Sequence, residues 1–179
     1  MEALRRYETS RGCVTMRRER AADGPFLAAL FRSHAERPLR AAGLQAAAID
    51  TIMQFQYRSQ SGTYRALYPN AGYWIIEGGG EAIGRLIEED EGDKVYFVDF
   101  ALVPELQAKG LGTAFIELVA NEWAEKGRAA RVEVRMGNTP SLKLCAKLGF
   151  RQIEDDRVGY VNLLRPLEVA GASRAVLRA

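Results

Sequence analysis

An α+β fold, an α/β/α sandwich in which helices flank a mixed, mostly antiparallel sheet of about seven strands, is what this sequence predicts. Three observations point there. The 179 residues suit one domain with one core. Segments with strand periodicity outnumber helical ones, about seven to four, and several are joined by turns short enough to make hairpins. One segment, KVYFVDFALV at 94–103, is apolar on both faces, as a strand in the middle of a sheet is.

Residues 1–12 are polar and without a clear period, and read as a flexible N-terminal arm. CVTMRRE at 13–19 alternates and predicts an edge strand. Asp23 followed by Pro25 is a helix-start pair, opening a helix through Phe26, Leu27, Leu30 and Phe31 that Pro38 is expected to end. A second helix follows over 44–64, with Ile49, Ile52 and Met53 on its apolar stripe. YWIIE and AIGRLIEE, joined across three glycines, predict a hairpin that leads into the central strand. Residues 111–126 form a third helix, with Leu111, Phe115, Leu118, Val119 and Trp123 inward and Glu117, Asn121, Glu122 and Glu125 facing water. RVEVRM predicts a second central strand, SLKLCAKLGF a short helix ending at Gly149, and RQIE with VGYVNLL a last hairpin across 155–157. The expected organisation is one domain over 13–166 with a C-terminal tail over 167–179.

The composition narrows the function. Twenty-five Lys and Arg against 23 Asp and Glu leave a net charge of +2, too balanced for bulk attraction of a polyanion, so no nucleic acid partner is expected. Two distant cysteines and one histidine make neither a disulfide framework nor a metal cluster. With no apolar run near the ~18 residues of a membrane span and no secretory leader, no membrane partner is expected and a cytoplasmic location is.

The chemistry concentrates in Gln107-Ala108-Lys109-Gly110-Leu111-Gly112-Thr113, between the central strand and the third helix. Free amides at a helix start converge on one point, the helix dipole adds about half a positive charge, and glycines let phosphate oxygens approach the backbone. Lys109 adds a point charge. No Gly-Lys-Ser/Thr follows and the third glycine of GxGxxG is missing, which disfavours ATP and NAD. An anion cradle and an ordinary strand-to-helix turn both remain open on spacing alone.

VDFALVPELQAKGLGTAFIELV followed by VEVRMGNTPSLKLCAKLGF resembles the GCN5-related N-acetyltransferase family. Val103 to Gly112 match its first motif, Val-Pro-Glu and then Gln-x-x-Gly-x-Gly; Asn138, Leu144, Leu148, Gly149 and Phe150 match its second. The resemblance covers about residues 13–165. It implies acetyl-CoA as co-substrate, no metal, and a sheet that splays between the two central strands to take the pantetheine arm. On the matched positions the amides of Gln107 to Thr113 would bind the pyrophosphate, and the backbone of Ala101, Leu102 and Val103 would pair with pantetheine. An amide at Leu102 or Val103 would face the thioester oxygen, and Asn138 would lie beside the cofactor. A small-molecule or peptide amine attacks directly in a ternary complex, so a base must take its proton. Glu133 matches a glutamate proposed as base in some ribosomal-protein acetyltransferases. Asp99, a carboxylate inside an apolar strand, either lines the cleft as a second candidate or forms a structural ion pair with an arginine.

Where the family usually has a tyrosine acid, one residue after Leu144, this chain has Cys145. It either protonates the leaving thiolate or fills an apolar helix face, the latter favoured, with Tyr160 or water as substitutes. Gln54, Tyr57 and Tyr64 are expected beside the acceptor pocket, by family likeness. His34 reads as a solvated surface residue. The family makes a homodimer an expectation. The rival reading is a non-catalytic acyl-CoA-binding or regulatory module on the same fold, suggested by Cys145.

Overall fold

The computed structural model describes residues 4–154 and 157–167. Its strands are β1 (Leu4–Thr9), β2 (Gly12–Arg18), β3 (Gly72–Gly78), β4 (Glu81–Asp90), β5 (Lys94–Leu102), β6 (Ala129–Arg135), β7 (Arg151–Gln152) and β8 (Tyr160–Arg165). They form one sheet in the order β1-β2-β3-β4-β5-β6-β8-β7. Only β5 and β6 run parallel; every other described pairing is antiparallel. The helices are α1 (Gly24–Ala35), α2 (Arg37–Ala41), α3 (Ala46–Leu67), α4 (Leu111–Glu125) and α5 (Thr139–Lys147).

The expected mixed sheet is therefore present, with eight strands rather than about seven. The extra one is β1, in the segment taken from sequence as a flexible arm, so residues 13–19 lie inside the sheet instead of at its edge. Alternation puts Arg5 and Tyr7 on one face. Tyr7 packs edge-on against Phe115 of α4 at 5.4 Å and donates to Glu122 at 2.5 Å, while Arg5 bonds both Glu122 and the buried Glu88. Trp123 donates its indole N–H to the other oxygen of Glu88 at 2.8 Å. A charged residue at a core-facing position is invisible to hydrophobic periodicity, and here it is satisfied by partners on β4 and α4. For the same reason Glu122, expected to face water, is turned to β1.

Two further differences are local. Asp23 does not cap α1 through its side chain; Arg17 holds it with two bonds of 2.7 and 2.8 Å, and the Arg20 amide adds a third at 2.7 Å. Pro38 does not end α1, which stops at Ala35; it stands in the first turn of α2, where its missing N–H is not needed. The core fills the side of the sheet under α4 and α5 with Met16, Ile76, Leu86, Val95, Phe115 and Val119. Among the described residues no helix is long and apolar enough to cross a membrane. Asp155, Asp156 and the tail from 168 lie outside the described residues.

Candidate functional site

β5 and β6 begin as neighbours and then part. Their parallel ladder runs from Lys94↔Ala129 to Phe97↔Val132 and stops, although β5 continues to Leu102 and β6 to Arg135. At that point β5 carries one extra residue against β4: Ile87 faces Asp99 and Glu88 faces Phe97, leaving Val98 without an opposite. A bulge of this kind bends its strand and breaks pairing, which accounts for the parting. The opening leads into a cleft of about 980 Å³ floored by Asp99, Phe100 and Ala101 of β5 and Glu133, Val134 and Arg135 of β6.

The backbone parity of β5 decides which groups face the gap. The Val103 amide donates to Ile83 at 2.9 Å, so Val103 and, two residues back, Ala101 turn their polar groups toward β4. Phe100 and Leu102 therefore present theirs to the side that β6 has left. This corrects the sequence expectation for Ala101 and Val103, because parity depends on the hairpin register, which the sequence does not display. The Leu102 carbonyl is covered by the Gln107 amide at 2.8 Å and His34 Nε2 at 3.0 Å. His34 is exposed, as expected of it, and in addition borders the cleft.

Beyond β5 the chain makes a single 3₁₀ turn at Pro104–Leu106 and then a left-handed step at Ala108 (φ +56°). A second such step at Gly110 (φ +85°) caps α4. The N–H groups of Leu111, Gly112 and Thr113 lie in the first helical turn, where no intrahelical acceptor exists for them. Gly112 lets this helix end touch the strand: a Cβ there would stand 3.3 Å from Phe100 and 3.5 Å from Leu102. The amides of the helix end and those of the parted strand are thereby brought together, and an anion fits the convergence of donors and dipole.

The two carboxylates of the cleft are held differently. Asp99 receives Arg85 Nε at 2.8 Å and Nη2 at 2.6 Å, both on Oδ2, and Oδ1 has no partner among the described residues. Arg85 itself is buried and also reaches Gln60 at 3.4 Å. Glu133 has an arginine on each oxygen: Arg131 at 2.9 Å on Oε1 and Arg157 on Oε2. Tyr64 lines the cleft near Asp99, and burial pushes its phenol up to about 12, with the Asp99 charge adding to the rise. Tyr64, Tyr68 and Tyr96 form an aromatic wall, with ring centroids 6.5 and 5.6 Å apart along the series. Tyr160 accepts a bond from Arg135 at 3.2 Å, which leaves its own proton to give.

The remaining expectations divide. Asn138 borders the cleft but spends its side-chain oxygen on the Ser141 amide, capping α5 at 3.3 Å. Cys145 touches the cleft lining but is 5% exposed within the apolar cluster, and burial pushes its thiol up to about 11. Gln54 and the Tyr57 ring fall on another face of α3, lining a separate hollow of about 520 Å³ against α1, where Tyr57 packs on Phe31 at 5.9 Å. Gln56, Gln60 and Tyr64 take the cleft side instead. Arg85, the arginine that pairs with Asp99, was missed from the sequence. A lone arginine in AIGRLIEE and a lone aspartate in VDFALV, on strands of one predicted meander, were the signal for that pair.

A family model described as the acetyltransferase (GNAT) family matches residues 35–150. No curated protein matches the chain. Among solved structures, the PaiA N-acetyltransferase of Thermoplasma acidophilum in complex with coenzyme A superposes with a TM-score of 0.61 at 17% identity, over 86% of this chain and 98% of its own. The ribosomal-protein-S18-alanine N-acetyltransferase of Escherichia coli gives 0.58 at 18% identity, over 91% of this chain and 99% of that one. PH1933 of Pyrococcus horikoshii gives 0.62 at 13%, over 87% and 99%. At these identities the likeness to solved structures is one of fold.

Proposed function

Since the chain belongs to the GNAT acetyltransferase family, we propose that it is an N-acetyltransferase that passes the acetyl group of acetyl-CoA to a primary amine by direct attack in a ternary complex. The observation that carries this reading is the parted β5–β6 pair with donors on its open edge, ending at a helix start rich in free amides. Acetyl-CoA supplies the activated acyl thioester, and the protein supplies position and proton handling.

In this reading the amides from Ala108 to Thr113, with Lys109, hold the pyrophosphate, the Gln107 amide being taken by the Pro104 carbonyl at 3.1 Å, and the open edge of β5 holds the pantetheine arm. The Phe100 or Leu102 N–H donates to the thioester carbonyl, where a preorganised donor contributes a few kcal/mol. Asp99 Oδ1 takes the proton of the attacking amine, because Arg85 fixes the other oxygen and leaves this one free to accept. Glu133, bound by two arginines, contributes charge to the cleft wall in place of the base role expected for it. Tyr160 gives its proton to the departing thiolate, since the Cys145 thiol is buried in the apolar cluster. The chain acts on its acceptor in the cytoplasm, without metal, and as a homodimer in keeping with its family.

Calorimetric titration with acetyl-CoA, followed by thiol release in the presence of amines of graded size and charge, tests the reading. Micromolar binding with amine-dependent thiol release is the expected result. Binding without release to any amine would favour a non-catalytic acyl-CoA module, and no binding would remove the reading altogether.

A further inference from the structure

The turn between β1 and β2 brings a cation to the anion loop. Arg11 stands at its tip, and a Cβ built on Gly110 would lie 3.7 Å from Arg11 Nε and 3.8 Å from Nη2. The guanidinium thus rests over the residue that caps α4. The turn is ordered by its own bonds: the Arg11 amide donates to Thr9 Oγ1 at 3.0 Å, and that hydroxyl donates to the Gly12 carbonyl at 2.7 Å. β1 is tied to α4 through Arg5 and Tyr7 on Glu122, so the hairpin and the helix whose start forms the cradle are one packed unit.

Arg5 of the same hairpin meets the carboxylates of Glu88 and Glu122, whereas among the described residues none meets the Arg11 guanidinium. An arginine placed over free helix-start amides, beside Lys109 and with no acid of its own, concentrates positive charge where an anion with two charges would be best held. Its planar fork matches phosphate oxygens two at a time. We infer that Arg11 is a ligand of the cofactor's pyrophosphate, a clasp over the cradle supplied by the N-terminal hairpin, outside the 35–150 segment that the family model matches. The inference rests on the acetyl-CoA reading and extends it to a residue that no motif of this sequence marks.

The test compares the wild-type protein with Arg11→Met and Arg11→Lys, using acetyl-CoA, its 3′-dephospho form and S-acetylpantetheine. Arg11 is exposed on a turn, so equal thermal midpoints are expected and are checked first. Arg11→Met should bind acetyl-CoA about tenfold more weakly, the loss of one charge-assisted contact, and Arg11→Lys should fall between the two. The same ratio should hold with the 3′-dephospho form and vanish in the kcat/KM for S-acetylpantetheine, which has no phosphate. Unchanged acetyl-CoA affinity in Arg11→Met, with wild-type protein that binds acetyl-CoA, would overturn the role of Arg11 and leave the acetyl-CoA reading in place. Wild-type protein that does not bind acetyl-CoA would overturn both. A ratio that disappears already with the 3′-dephospho form would overturn the assignment to the pyrophosphate.

Discussion

Asp99 and Glu133 line one cleft, yet their arginines leave them with different chemistry. Asp99 keeps an oxygen with no partner among the described residues, and Glu133 has an arginine on each. Asp99→Asn should therefore lower kcat about a hundredfold or more while the Kd for acetyl-CoA stays within twofold, since a general base contributes to the chemical step and not to cofactor affinity. Glu133→Gln should cost much less in kcat. A larger loss at Glu133, measured by pre-steady-state thiol release, would return the base role to it. At this scale the sequence showed residue types well and orientations poorly. The isolated Asp99 and the QAKGLG loop were legible from the run of residues alone. The choice of Phe100 and Leu102 over Ala101 and Val103 was not, because it follows from strand parity set by a bulge at Val98, and nothing in VYFVDF announces an unpaired residue.

The elements follow the same logic. Those whose hydrophobic period is strong, such as β5 and α4, appear in the structure nearly where the spacing placed them. β1 escaped notice because its core-facing positions hold arginine and tyrosine, whose burial is made possible by Glu88 and Glu122 from elements 80 to 120 residues away. The network gives a test of that account. Glu88 is 3% exposed and bonded by Arg5 and Trp123, so Glu88→Ala leaves both donors short of a partner and should cost about 3 kcal/mol in urea unfolding. An unchanged midpoint would mean that β1 is held by apolar packing alone. The phase of α3 was legible only in part: of the three expected acceptor-side residues Tyr64 lines the cleft, whereas Gln54 and Tyr57 line the separate hollow against α1, because polar residues on both sides of the apolar stripe give little sign of which side meets a cleft.

For the molecule as a whole, acid should act through carboxylates that are better bound in the fold than in the open chain. The Arg17 hydrogen bonds hold Asp23 below its ordinary value of 3.8, and the Gly92 amide does the same for Asp90. A depressed carboxylate stabilises the fold at pH values above its ordinary pKa and loses that contribution as the pH falls through the lowered one. Stability from chemical unfolding should thus be level above pH 5 and decline below about 4, with a shallower decline in Asp23→Asn.

The parting of β5 and β6 has one more consequence at this scale. A sheet has two rims where backbone donors go unpaired, and proteins normally shield them. This sheet has a third rim in its middle, along Phe100 and Leu102, and a bound thioester arm would lie on it as a guest strand. Amide hydrogen–deuterium exchange should then show Phe100 and Leu102 exchanging faster than their β4-facing neighbours Ala101 and Val103 in the free protein. Saturating acetyl-CoA should slow the first pair by direct cover, on top of the general slowing that follows from stabilising the whole fold by about 2.7 kcal/mol at a hundredfold excess over Kd.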